Sequence, residues 1–318
     1  MKIVFMGTPS FAVPSLERVL ANGHDVIAVI TQPDRPKGRK RELAPPPVKE
    51  AALQHGLPVY QPERMRSEEA IALVASLAPD LIITAAYGQI LPKAVLDVPP
   101  LGCINVHGSL LPKYRGGAPI QRSIINGEQV TGVTIMYMAE GLDTGDMISR
   151  VEVPIDEADT SGTLFEKLSA AGADLLMQTL PSIEAGTVQA VPQQHDDASY
   201  APNLTREDER IDWTRTARQL YDQVRGLSPM AGAFTQWNGE PFKIWRCQAI
   251  AATNSGVQAA VPPGTVLSAS PEGIAVQAGE GALLLLDIQP AGKRAMPAAD
   301  WLKGARLEAG AQFGGGLQ

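Results

Sequence analysis

What most constrains the fold is a series of short apolar runs separated by stretches of helix length. Residues 2–6, VIAVI (26–30), DLIITAAY (80–87) and GCINVH (102–107) are too short and too rich in β-branched side chains to be helices. Strands apolar on both faces must be covered on both faces, as they are in parallel sheets. Helical signals fall between them, over 9–20, 48–55 and 67–77, the last with Ile71, Val74 and Leu77 at helical spacing, and PVY (58–60) reads as a further short strand. The helical GAPIQRSIING, strands at 132–138 and 148–155, and a long helix over 159–183 with a Thr/Ser cap signal complete the series. This alternation predicts a doubly wound, mostly parallel α/β sheet whose ligands bind at the carboxyl ends of the strands.

Beyond about residue 186 the pattern lapses into a polar stretch with two prolines, which reads as a surface linker. DWTRTARQLYDQVRGL (212–227) then reads as one helix. Apolar runs at 242–250, 264–268, 273–278 and 282–289 predict a small β-barrel or sheet, and the tail FGGGLQ reads as disordered. A length of 318 residues suits two domains, here 1–188 and 208–318 with 189–207 joining them.

No stretch is long enough to cross a membrane, and the first apolar run is too short for an export signal. Cys103 and Cys247 lack metal-ligand spacing and read as reduced, buried thiols in a cytoplasmic chain, with a disulfide between them disfavoured. Four scattered histidines form no zinc motif. The net charge of −7 disfavours a bulk nucleic-acid binder. Its distribution is uneven: residues 1–205 hold 16 basic and 23 acidic side chains, and the remainder hold 11 of each. Against that acidic background, Arg35, Lys37, Arg39, Lys40 and Arg41 crowd five cations into seven residues. Such a run is either a solvated turn or a phosphate-binding arm.

The candidate chemistry lies in NVHGSLLPKYRGGAPIQ (105–121) and GLDTGD (141–146). Asn105 and His107 are two apart at a strand end, so they share a face. A buried carboxamide needs a partner, and a substrate oxygen is one. An imidazole can polarise an oxygen or pass a proton. Asp143, near two glycines, adds a carboxylate, with Asp146 its nearby competitor. Together these are the parts needed to move a carbonyl group onto an amine. The plainer alternatives are a structural histidine, a capping asparagine and a loop-forming aspartate. GTPSFA sits where a dinucleotide turn would, but it lacks G-x-G-x-x-G, which argues against a nicotinamide enzyme.

FMGTPSFAVPSLE, TQPDRPKGR, AAYGQILPKAVL, GCINVHGSLLPKYRGGAPIQ, GVTIMYMAEGLDTGDM, DTSGTLFEKL, RIDW and IQPAGKRAM together resemble the methionyl-tRNA formyltransferase family over nearly the whole chain. NVHGSLLP and GLDTGD are shared with other formyltransferases that use 10-formyltetrahydrofolate; the basic loop and the RIDW-to-QPAGK region narrow the resemblance to the tRNA enzymes. The resemblance implies a Rossmann-like domain followed by an OB-like barrel. It implies formyl transfer from 10-formyltetrahydrofolate to the methionine amino group of initiator methionyl-tRNA, for translation initiation. It implies Asn105, His107 and Asp143 as the catalytic trio. Ser109, Leu110, Leu111 and Pro112, with Tyr87, Gly88, Gln89 and Ile90, would hold the folate. Arg39 would lead the basic loop 35–41 at the tRNA acceptor end. No metal or membrane enters, and a monomer is expected. Lys113-Tyr114 departs mildly from the family, which more often has tryptophan at the second position. The competing readings are a formyltransferase acting on an amino sugar or ribonucleotide amine, a nucleotide-dependent oxidoreductase, and a non-catalytic RNA-binding protein.

Overall fold

The computed structural model describes residues 1–38, 42–250 and 261–314. Arg39, Lys40 and Arg41 therefore lie outside the described residues. The chain forms two compact units. One comprises Met1–Pro119, Val130–Pro154 and Phe165–Pro202; the other comprises Ile120–Gln129, Ile155–Leu164 and the chain from Asn203 onward.

In chain order the first unit contains β1 (Lys2–Gly7), α1 (Val13–Ala21), β2 (Asp25–Ile30), β3 (Arg35–Lys37), β4 (Glu42–Ala44), α2 (Pro47–Gln54), β5 (Val59–Tyr60), α3 (Glu68–Leu77), β6 (Leu81–Ala85), α4 (Lys93–Leu96) and β7 (Cys103–His107). The chain then runs through α5 (Pro119–Ile125), which belongs to the second unit after its first residue, and returns with β8 (Val130–Tyr137), β9 (Met147–Pro154) and α6 (Ser161–Glu184), of which the first unit holds the part from Phe165. Seven strands form one sheet in the order β5-β2-β1-β6-β7-β8-β9. The first five run parallel, and β8 and β9 are added antiparallel. The apolar runs are the inner strands: every residue of β6 is buried, as is β1 after its first residue. Gly172 lets α6 approach the sheet, because a Cβ there would come 2.9 Å from Val106 Cγ1.

Strand order reverses beside β1, so the loops after β1, β2 and β6 open together at the carboxyl edge. Thr8 Oγ1 donates to Tyr87 O at 2.8 Å, and Gln32 N donates to Thr8 Oγ1 at 3.3 Å, which stitches those three loops together. The basic stretch starts and ends in paired backbone, with Arg35 opposite Ala44 and Lys37 opposite Glu42.

The second unit is built on α7 (Ala217–Leu227), β10 (Ala233–Trp237), β11 (Glu240–Ile250), β12 (Val266–Ser270), β13 (Gly273–Gln277), β14 (Ala282–Pro290), β15 (Met296–Pro297) and α8 (Ala298–Leu302). Its sheet is antiparallel in the order β10-β11-β14-β13-β12, with β15 on β14. The structure departs from the sequence reading at three points. The helix starts at Ala217 rather than 212, because Thr216 and Gln219 form a reciprocal capping box. Strand β10 was not expected, although Asn238-Gly239 is the strongest short hairpin signal; both residues take positive φ, 51° and 78°. Of the tail FGGGLQ, residues 315–318 lie outside the described residues, and Phe313, expected to be disordered, is buried, with its ring centroid 5.1 Å from that of Trp237 and 5.2 Å from that of Phe242. Trp213 joins this core and donates its indole N–H to Thr235 Oγ1 at 3.0 Å.

Among the described residues no helix is long and apolar enough to cross a membrane. Cys103 and Cys247 are both buried and free. Burial pushes the Cys103 thiol up to about 12 and raises that of Cys247 as well, so both stay protonated and inert near neutral pH.

Candidate active site

The carboxyl end of β7 carries Asn105, which is half-buried, and His107, which is 6% exposed. Parallel register places Thr84 of β6 beside Asn105. The Thr84 hydroxyl, itself buried, donates to Asn105 Oδ1 at 2.8 Å. An amide whose oxygen accepts in this way keeps its Nδ2 hydrogens to give, so the group is set as a donor.

His107 is fixed from the other side. Its Nε2 lies 3.1 Å from the backbone oxygen of Tyr114. A carbonyl only accepts, so Nε2 carries the proton, and Nδ1 is the nitrogen free to gain or lose one. Nδ1 faces Asp143 Oδ2 at 3.7 Å. The same oxygen accepts the Gly116 N–H at 2.8 Å. Asp143 adopts φ 51° and Tyr114 φ 60°, left-handed conformations that cost non-glycine residues about 1 kcal/mol or more each. Both are held by long-range contacts. Gln193 Nε2 donates to Asp143 O at 2.8 Å and Gly145 O at 2.7 Å. Ser199 Oγ accepts from Tyr114 N at 2.9 Å. Gly145 must be glycine, because a Cβ would fall 1.8 Å from Tyr137 O.

The remaining expected site residues fall into three groups. Ser109 and Leu111 are buried and hold the loop after β7: Ser109 Oγ donates to Lys113 O at 2.7 Å, and Thr134 Oγ1 receives Leu111 N and donates to Ser109 O. Leu110 is half-buried. After β6, Tyr87 is buried, and burial raises its phenol to about 12. Gly88 takes φ 87°. Gln89 ties this loop to the 62–65 segment, accepting from Met65 N at 2.7 Å and donating to Pro62 O at 3.1 Å. Ile90 is 78% exposed, an apolar side chain projecting at the strand ends. Of the basic loop, Arg35 is exposed, with Glu63 at 3.9 Å. Asp146 makes no side-chain hydrogen bond or ion pair among the described residues, whereas Asp143 meets the imidazole.

Sequence reasoning missed Thr84, Arg115, Gln193 and Ser199. Arg115 is 1% exposed and donates to Gln193 Oε1 through Nε at 3.0 Å and Nη2 at 2.7 Å. Only an arginine within a motif and a glutamine in a polar stretch were visible, with no local pattern to connect them. Among the described residues no group of three or more His, Cys, Asp and Glu side chains could hold a metal ion.

The arrangement offers a carboxamide donor, an imidazole with one committed nitrogen, and a carboxylate beside the other. It can stabilise a developing oxyanion and carry protons between two nitrogen centres. The formyl transferase family profile matches residues 1–180, and the profile for the formyl transferase C-terminal domain matches residues 203–306. The methionyl-tRNA formyltransferase of Bacillus subtilis (strain 168) is 55% identical over 314 residues, covering 98% of each chain. In fold the chain is similar to WlaRD, a sugar 3N-formyl transferase, at TM-score 0.65 and 20% identity over 92% of this chain and 99% of that one. It is also similar to HypX from Aquifex aeolicus in complex with tetrahydrofolic acid, at TM-score 0.62 and 17% identity over 95% of this chain; it spans about half of HypX, 47%. The 55% identity extends through both profile-matched regions, and on it the chain belongs to the methionyl-tRNA formyltransferase family.

Proposed function

We propose that this protein transfers the formyl group of 10-formyltetrahydrofolate to the methionine amino group of initiator methionyl-tRNA. The observation that carries this reading is the site on β7 and the 143–145 loop: an amide whose oxygen is held by Thr84, beside an imidazole whose Nδ1 faces a carboxylate. The neutral methionyl amine attacks the formyl carbon, and Asn105 Nδ2 donates to the oxyanion that forms. Asp143 takes the excess amine proton. Asp143 passes that proton to His107 Nδ1, which faces it at 3.7 Å, and Nδ1 delivers it to the folate nitrogen as its bond to carbon breaks, so the one proton the amine loses is the one the folate gains and both side chains return to their starting states. Holding two large substrates in register supplies much of the acceleration, and the fixed donor adds about 3 kcal/mol. These groups perform every proton and charge step without a metal.

In this reading residues 1–188 carry the chemistry, 189–207 join the parts, and 208–318 form an OB-like barrel that binds tRNA. The loops 87–90 and 109–112 hold the folate. Arg35, Lys37, Arg39, Lys40 and Arg41 meet the acceptor end. Lys293 and Arg294 are exposed cations suited to nucleic-acid phosphates, whereas the half-buried Lys243, 5.2 Å from the Trp245 ring centroid, already donates to Ala231 O. Arg246 is likewise engaged, paired with Asp287 at 2.5 Å. The protein acts as a monomer in the cytoplasm. The test is to incubate the purified protein with 10-formyltetrahydrofolate and charged initiator tRNA and measure formylmethionine, with a nucleotide-linked amino sugar as the competing acceptor. Formylation of the tRNA alone supports the reading. No formylation, or equal use of the amino sugar, overturns it.

A further inference from the structure

The strap of residues 193–201 lies outside both profile-matched stretches, yet it grips both halves of the candidate proton-transfer pair. On one side, Ser199 Oγ accepts from Tyr114 N at 2.9 Å, Ser199 O accepts from Arg115 N at 2.8 Å, and Ala201 N donates to Arg115 O at 2.7 Å. Tyr114 is the residue whose carbonyl fixes His107 Nε2. On the other side, both amide hydrogens of Gln193 are spent on the loop that carries the carboxylate, at Asp143 O and Gly145 O.

Gln193 is 5% exposed and its oxygen is also fully used, taking two donors from Arg115. Arg115 is a buried cation with an unusual partner set. Among the described residues no carboxylate pairs with it; besides Gln193 it meets only His195 Nδ1, at 3.4 Å. A glutamate at position 193 would neutralise that cation better than an amide does. It would also lose both donors, leaving two loop carbonyls unsatisfied beside a new negative charge. The chemistry that calls for an amide is therefore on the loop side. A cation on the amide oxygen polarises the N–H groups and strengthens their donation.

We propose that Gln193 is a positioning residue. Its carboxamide, polarised by Arg115, holds the strained 143–145 loop so that Asp143 stays opposite His107 Nδ1. This rests on the reading above, in which those two side chains carry the proton traffic.

The test is Gln193→Glu, with Ser199→Ala as a milder second variant and Gln194→Ala as the exposed neighbour control. Gln193→Glu is expected to lower kcat by about 10- to 100-fold, the scale of a small misplacement at a reacting centre. KM for folate and for tRNA should stay within about twofold, since the functional reading assigns both substrates to other segments. The 15N resonance of His107 Nδ1 should move in Gln193→Glu and not in Gln194→Ala. Ser199→Ala keeps the backbone contacts and should lose less activity than Gln193→Glu. Wild-type kcat in Gln193→Glu, equal losses in Gln194→Ala, or an unmoved His107 resonance in a folded variant would overturn the assignment. Because the resonance reads the geometry without turnover, it tests the strap even if the wild-type protein fails to formylate tRNA, an outcome that would defeat only the functional reading.

Discussion

Replacing Thr84 with valine isolates what a correctly turned amide is worth. Valine has nearly the shape of threonine, so the buried site on β6 keeps its packing and loses only the hydroxyl. In the folded protein that hydroxyl donates to Asn105 Oδ1 at 2.8 Å, with Ile104 O a longer alternative at 3.1 Å. A neutral hydrogen bond of this kind contributes about 1 kcal/mol net. Removing it should lower global stability by about that amount and release the amide from its preferred orientation. If the whole of that preference reaches the transition state, about 1 kcal/mol corresponds to about a fivefold loss in kcat. Asn105→Ala removes the donor itself and should cost about 3 kcal/mol of barrier, or 10²- to 10³-fold in kcat, with little change in folate affinity. The double variant decides how the two act. If Thr84 works through Asn105, Thr84→Val has no further effect once Asn105 is alanine, and the coupling energy is about 1 kcal/mol. The assay is steady-state formylation of methionyl-tRNA, with urea unfolding alongside to correct for stability. Strict additivity of the two losses, or full activity in Thr84→Val, would refute the orientation argument.

Three further outcomes are expected. Arg39→Ala should raise KM for tRNA while folate affinity stays constant, and unchanged tRNA kinetics would remove the basic loop from the account. Gly145→Ala should unfold at lower urea, by about 2–3 kcal/mol, and lose turnover, because its Cβ would meet Tyr137 O at 1.8 Å and backbone cannot yield as a side chain does; an unchanged midpoint would contradict this. Asp34 should titrate below the ordinary 3.8, held down first by the Gln61 amide at 2.7 Å and then by Lys49 at 2.8 Å. Since its folded value is the depressed one, the stability it contributes is complete above the unfolded value and is lost as pH falls through the folded value. A carboxyl 13C titration reads this directly, and Lys49→Met should move the midpoint upward.

The elements differ in how openly their residues announced them. Inner strands β1, β2 and β6 are apolar on both faces, so their burial and parallel pairing were legible without coordinates. The same-face spacing of Asn105 and His107 was legible too, because a strand has a period of two. The 238–239 hairpin was written plainly in Asn-Gly and was missed only because the apolar run before it is short. The start of α7 was overrun into DWTRT, although Asp and two threonines favour caps and turns over helix interiors: Asp212 Oδ1 takes both the N–H and the hydroxyl of Thr214.

The sequence alone determined the layered α/β architecture, the second β-rich unit, and the residue types needed for formyl transfer. Tertiary structure alone decided which partners give those residues their state. Thr84 orients an amide 21 positions away, Tyr114 assigns a proton to one imidazole nitrogen, and Gln193 meets Asp143 across 50 positions. The physical reason is range. Hydrophobic periodicity is a local property, readable within a dozen residues, whereas a hydrogen bond is fixed by where its two atoms come to rest, and for distant residues only the completed fold sets that.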